Sequence, residues 1–152
     1  MCKRQCRSII IMEKQLHYRY SKITLDEFAL LEETCDAKAS INFNNEIQFN
    51  FDTKSGVVQC VDTLTAKQNE KKLFKISVSA YFQIKPEDVT SLKTGNKYTI
   101  PIGILIQFAS LNYGTLRGVL FSKLQDTMFN FIVVPPLYMQ QIIKEPFVVE
   151  EK

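Results

Sequence analysis

Apolar and polar residues alternate with a period of two through the first half of the chain, then switch to helical spacing at Pro101. In SINFNNEIQFNFD, Ile41, Phe43, Ile47, Phe49 and Phe51 take odd positions, and only Asn45 interrupts the apolar row. Successive strand side chains point to opposite faces, so this stretch predicts a long strand with one covered and one wet face. Asn44-Asn45 marks a candidate bulge, or a crossover between two shorter strands. The turn residues TKSG (53–56) lead into a run where Val58, Cys60, Leu64 and Ala66 share a face, with Asp62 the exception. Beyond the charged hairpin end KQNEKK comes the most regular run. There Phe74, Ile76, Val78, Ala80, Phe82 and Ile84 alternate with Lys75, Ser77, Ser79, Tyr81 and Gln83. Upstream, Tyr18, Tyr20, Ile23, Leu25 and Phe28 predict a further strand within 16–32. Four strands with short connections predict an antiparallel meander with one solvated face.

Residues 85–97 break this rhythm at Pro86 and Gly95, with one helical turn expected over 88–92. From there Ile102, Leu105, Ile106, Ala109, Tyr113, Leu116 and Leu120 recur at helical spacing, and Pro101 suits a first turn. Ile104, Phe108 and Leu111 widen the stripe beyond what one sheet face needs. A helix apolar nearly all round is covered on two sides. One small sheet covers one, which assigns Ile104, Phe108, Leu111, Gly114 and Gly118 to an interface with a second subunit. The two glycines there allow close backbone approach or a kink. After Lys123 the charges thin, MFNFIVV is extended, Pro135-Pro136 ends it, and LYMQQIIKE predicts a short helix.

The fold class is α+β: a four-stranded antiparallel sheet with one long helix and a short C-terminal helix. One domain is expected over 13–145, after a disordered extension at 1–12 and before a flexible acidic tail at 146–152. At 152 residues, 45% apolar and 23% charged, the composition is that of an ordinary globular domain. The net charge of +3 comes from scattered lysines, which argues against nucleic-acid binding. The uncharged stretch from Tyr98 to Leu116 carries polar residues, Pro and Gly, and no membrane span is expected. MCKRQCRSIIIM has a basic start but an apolar patch shorter than the ~7 residues of a secretory signal, so the expected location is cytoplasmic. Met12 is an alternative start.

Chemistry is sparse. Cys2, Cys6, Cys35 and Cys60 lack the spacing of a metal site, and reduced thiols are expected, with Cys60 buried. His17 is the only histidine, an expected surface residue on an edge strand. Arg117, in an apolar helix, is expected to pair with a carboxylate or hold carbonyls of the following loop. Asp26, Glu27, Glu32 and Glu33 show no paired-acid arrangement. No enzyme activity, cofactor or metal is expected.

Eleven Phe and six Tyr with no Trp make a soft apolar inventory, most of it destined for the core. Phe129, Phe131, Leu137, Tyr138 and Met139, however, bracket the double proline on a loop. A Pro-stiffened loop beside a short helix makes one wall of a groove for extended peptide. Each large side chain buried contributes roughly 1.5–3 kcal/mol, so several per segment offset an ordering cost of at least ~4 kcal/mol.

This order of elements, with LRGVLFSKLQDTMFNFIVVPPLYMQQII as its helix, apolar connection, Pro turn and last helix, resembles the SecB family of protein-export chaperones. The likeness covers roughly 16–144 as architecture and about the last forty residues as sequence pattern. It implies an ATP-independent holdase for unfolded or pre-export polypeptides, built as a homotetrameric dimer of dimers with long helices sandwiched between sheets. It extends the groove to Phe43 and Ile47. That family also includes chaperones dedicated to an antitoxin. Its export members are strongly acidic and dock a translocation motor through the solvated sheet face. This chain is slightly basic, and its wet strand faces are expected to carry Lys22, Lys38 and Lys75 against Glu46 and Asp62, which argues against that docking. Two rivals remain: an interaction protein for one client such as an antitoxin, and a carrier of a small apolar ligand.

Overall fold

The structure, a computed structural model, describes residues 16–151; the expected extension at 1–12 lies outside them. Strands β1 (Tyr18–Leu30), β2 (Asn42–Asp52), β3 (Val57–Gln68) and β4 (Lys71–Ile84) form one antiparallel sheet. Helix α1 (Pro86–Ser91) leads to a second, small sheet of β5 (Lys93–Thr94), β6 (Lys97–Ile100) and β7 (Phe147–Glu150). The long helix α2 (Ile102–Leu124) follows β6, and α3 (Met139–Ile142) precedes β7. The architecture is α+β, as the period change predicts.

Three expectations need correction. The four strands are not a simple meander: the order is β1-β4-β3-β2, so β1 lies beyond β4 in Greek-key order. The link 31–41 makes this crossing. Gln68 anchors it by donating to the carbonyls of Asp36 (2.7 Å) and Ala39 (3.2 Å) and accepting from the Asp36 N–H (2.8 Å). Second, β2 runs through Asn44-Asn45 in unbroken register with β3, because both asparagines pair normally there. The irregularities lie instead in β1, between Tyr20 and Lys22 and between Leu25 and Glu27, and in the β3–β4 pairing between Ala66 and Lys67. Third, the acidic tail is not loose at 147–150: β7 pairs with β6 from Lys97↔Glu150 to Ile100↔Phe147. Lys93 adds an ion pair to Glu151 at 2.7 Å.

Local chemistry explains the turns. Asn69 and Glu70, both at positive φ (49° and 67°), make the two-residue hairpin between β3 and β4, a geometry matched to strand twist. Gly56 closes the β2–β3 turn at φ +74°, and a Cβ there would lie 3.0 Å from Val89 Cγ2. Only glycine suits both constraints.

The core lies between α2 and the centre of the sheet. Leu64, Phe74, Ile76, Phe82 and Ile84 are fully enclosed, as are Phe108 and Leu116 of the helix. Phe82 and Phe108 stack at 4.0 Å between ring centroids, with Tyr18 edge-on to Phe108 at 4.8 Å. Phe108 is therefore a core residue of its own chain, which corrects its assignment to a subunit interface.

The opposite face of the sheet carries a polar ladder. Asn50 donates to Gln59, which donates to Ser79 and Tyr81 (each 3.1 Å), and Ser79 donates to Asp26. Lys22 sits over the Tyr81 ring and Lys75 lies 3.4 Å from Glu27.

Candidate functional site

One helix cannot cover four strands. Strands lie ~4.8 Å apart and a helix with side chains is ~10–12 Å wide, so the outer strands project past it. In α2 that places the helix over β3 and β4. The strand to one side, β1, keeps its apolar row on the helix-bearing face, opposite Phe82, Ala80 and Val78 of β4. Yet Tyr20, Ile23, Leu25 and Leu30 of that row are each 43–49% exposed. On the other side, Phe43, Ile47 and Phe49 of β2 pack against the core while staying half-buried.

Helix α2 repeats this asymmetry. Leu105, Phe108, Ala109, Asn112, Tyr113, Leu116, Leu120 and Leu124 face inward. Leu111 and Phe121 stand on the open side, Phe121 66% exposed, with Gly114 and Gly118 also exposed and Ile104 half-buried. A Cβ at Gly114 or Gly118 would meet nothing within 4 Å among the described residues. No contact inside the chain demands these glycines, although each costs a helix roughly 0.5–1 kcal/mol relative to alanine.

The segment after α2 runs back along the helix and is strapped to it. Tyr113 Oη donates to the Pro135 carbonyl at 2.8 Å, and Arg117 Nε donates to the Val134 carbonyl at 3.1 Å. Two consecutive prolines offer no N–H of their own, so bonds to neighbouring carbonyls are what the helix can supply. Arg117 thus has the structural role expected of it. Burial pushes the Tyr113 hydroxyl pKa up, which keeps it a donor. A cleft of about 300 Å³ lies between α2 and this strap, lined by Arg117, Gly118, Phe121, Ile132, Val133 and Val134.

The proposed groove residues fall into two groups. Phe131 (44% exposed) and Tyr138 (66%) face outward, joined by Ile142 of the short helix and by Met128 and Val133, the last two of which sequence reasoning did not single out. Phe129 and Met139 are enclosed instead, Phe129 against Phe74 at 5.9 Å between centroids. That corrects their assignment to a peptide-binding wall: they anchor the two ends of the strap. Leu137, Phe43 and Ile47 are intermediate. The clefts at the strap and at β2 are separate; one of about 520 Å³ opens between Asn50–Lys54 and Phe147, Val149 and Glu150 of β7.

His17 is a surface clasp. Its N–H (2.7 Å) and Nδ1 (2.9 Å) meet Asp88 Oδ2 and tie the start of β1 to α1, and these bonds lower the Asp88 pKa. Among the described residues no group of three or more His, Cys, Asp or Glu could hold a metal, and no helix is long and apolar enough to cross a membrane.

No family model and no curated protein sequence matches the chain. Among solved structures, the chain is similar to the SecB-like chaperone Rv1957 of Mycobacterium tuberculosis, solved with a ChAD peptide from the Rv1956 HigA1 antitoxin. The TM-score is 0.46 at 9% identity, over 90% of this chain and 100% of that one. A protein of unknown function from Streptococcus agalactiae is similar at TM-score 0.39 and 9% identity, over 74% of this chain and 90% of that one.

Proposed function

We propose that this protein is a chaperone-like, non-enzymatic binder of other polypeptides, working as an oligomer of its own copies in the cytoplasm. The observation that carries the reading is the uncovered apolar row on β1, together with the exposed Leu111 and Phe121 on α2 and Phe131, Val133 and Tyr138 on the strap. Covering the four half-exposed β1 residues returns roughly 3–6 kcal/mol, close to the association cost of at least ~4 kcal/mol. Strand β1 alone is therefore marginal as an interface. With α2's outer face added, the balance favours a sister subunit, and Gly114 and Gly118 let its backbone come close. A dimer of dimers covers both surfaces.

The strap and the half-buried row on β2 are left for guests. Phe131, Val133 and Tyr138 stand out from a backbone stiffened by Pro135-Pro136, which suits an extended segment bound by apolarity more than by sequence. The outward sheet face supports a client of the protein's own over docking to an export motor. On that face Lys22 sits over Tyr81 and Lys75 lies near Glu27, so the charges there are of mixed sign, while Asp62, expected on this face, is instead buried on the helix side.

The test is suppression of aggregation of a chemically unfolded protein. The wild type is expected to suppress it at near-stoichiometric ratios, and Phe131→Asp with Tyr138→Asp to lose that effect while keeping the native circular dichroism. Unchanged suppression by the double variant would remove the strap from the guest site. No suppression by the wild type, with tight capture of one folded or peptide partner, would narrow the reading to a single dedicated client.

A further inference from the structure

The centre of the helix–sheet joint is polar where packing alone would make it apolar. Asp62 points from β3 toward α2 and is 2% exposed, and Asn112 of α2 is fully buried. The Asn112 amide donates both its hydrogens, to the carbonyls of Cys60 (3.0 Å) and Val78 (2.9 Å) on adjacent strands. Turning the amide over would set its oxygen against those two carbonyls, so its orientation is fixed. Asn112 Oδ1 is left as a buried acceptor, and it has no donor among the described residues. Asp62 Oδ1 accepts from the Cys60 thiol at 3.3 Å, and Asp62 Oδ2 is likewise buried without a partner.

Asp62 and Asn112 lie within side-chain hydrogen-bonding range of each other, so one proton on Asp62 satisfies both unpartnered acceptors. We propose that Asp62 is a proton-dependent latch: its carboxylic acid donates to Asn112 Oδ1, pinning α2 to the middle of the sheet, and loss of the proton weakens that joint.

The surroundings agree. The cross-strand neighbours of Asp62 are Ile47 on β2 and Val78 on β4, neither of them charged. On its own strand the facing titratable group is Cys60, whose thiol burial holds protonated. From α2 the titratable and charged groups nearby are Tyr113 and Arg117, both committed to the strap carbonyls. Arg117 keeps its charge there, but no cation acts on Asp62, whose environment is set by burial and by Cys60 and Asn112. Burial raises its pKa to about 7, against an ordinary 3.8. The sign follows. The folded state binds a proton that the unfolded chain releases, so stability is complete below the unfolded pKa and is lost as pH rises through the folded one. The latch stands independently of the polypeptide-binding reading, although α2 carries Leu111 and Phe121 on its other face.

Two measurements test it. Between about pH 5 and about pH 8 the unfolding constant of the wild type should rise roughly a hundredfold more than that of Asp62→Asn, whose amide donates at every pH. Equal pH dependence in the two proteins would overturn the latch. Should the variant fail to fold, 13C-carboxyl NMR of the aspartates in the wild type decides alone. One buried carboxyl titrating close to neutral pH supports the proposal. All aspartates ionised above about pH 5 would sink it, and would mean that another donor satisfies both oxygens.

Discussion

Strands β4 and β1 lie side by side and carry the same kind of apolar row on the same face, yet their fates differ. Phe82, Ala80 and Ile76 of β4 are fully enclosed, whereas their β1 partners Tyr20 and Ile23 are 43% and 49% exposed, and Phe28 is half-buried. Composition does not separate the two strands; distance from the single long helix does. Binary pattern tells which face of a strand is apolar, and the number of covering elements decides whether that face is finished within one chain. Here it is not, and the unfinished part is what the proposed function uses.

The comparison breaks most sharply at the largest residues. Phe82→Ala, which removes half of the Phe82–Phe108 stack, should cost about 3–5 kcal/mol of stability in chemical denaturation. Phe129→Asp should unfold the chain, because it would place a charge against Phe74 in the core. The matching Phe131→Asp, two residues further on, should leave the melting temperature nearly unchanged. Ile23→Asp with Leu25→Asp should cost the isolated fold about 1.5–3 kcal/mol, the buried halves of the two side chains, and act chiefly on assembly. A stability loss like that of Phe82→Ala would mean that β1 is as finished as β4.

Smaller effects sharpen the contrast on α2. Tyr113→Phe deletes one strap bond and should cost about 1 kcal/mol, read as faster hydrogen exchange in 130–138. Gly114→Ala and Gly118→Ala have open space in the chain and should raise the stability of the unassembled protein by about 0.5–1 kcal/mol each. The same changes should weaken self-association. Stabilisation with unimpaired assembly would leave the glycines without a role in approach.

How much of this was legible in the sequence depended on element length. The four long strands and α2 each span several periods, and the run from Phe74 to Ile84 alternates without a fault. Strands β5, β6 and β7 are two to four residues long and complete barely one alternation, so β7 read as a loose acidic tail. The β1–β4 pairing was hidden because topology is set by the link 31–41, whose Gln68 anchors carry no sequence pattern. Within the strap, periodicity could not tell Phe129 from Phe131: an irregular segment has no period to assign faces. Asp62 was visible as the one acidic interruption of an apolar row. Its partner Asn112 was not singled out, although it lies on the helical stripe between Leu105 and Leu120.

The central claim is that copies of the chain complete the face which one helix leaves open. Analytical ultracentrifugation of the wild type beside Ile23→Asp/Leu25→Asp tests it most directly. The account predicts a wild-type mass that is a multiple of 17.6 kDa and a shift toward the single-chain mass in the variant. A wild type that sediments as a single chain at all accessible concentrations would contradict it.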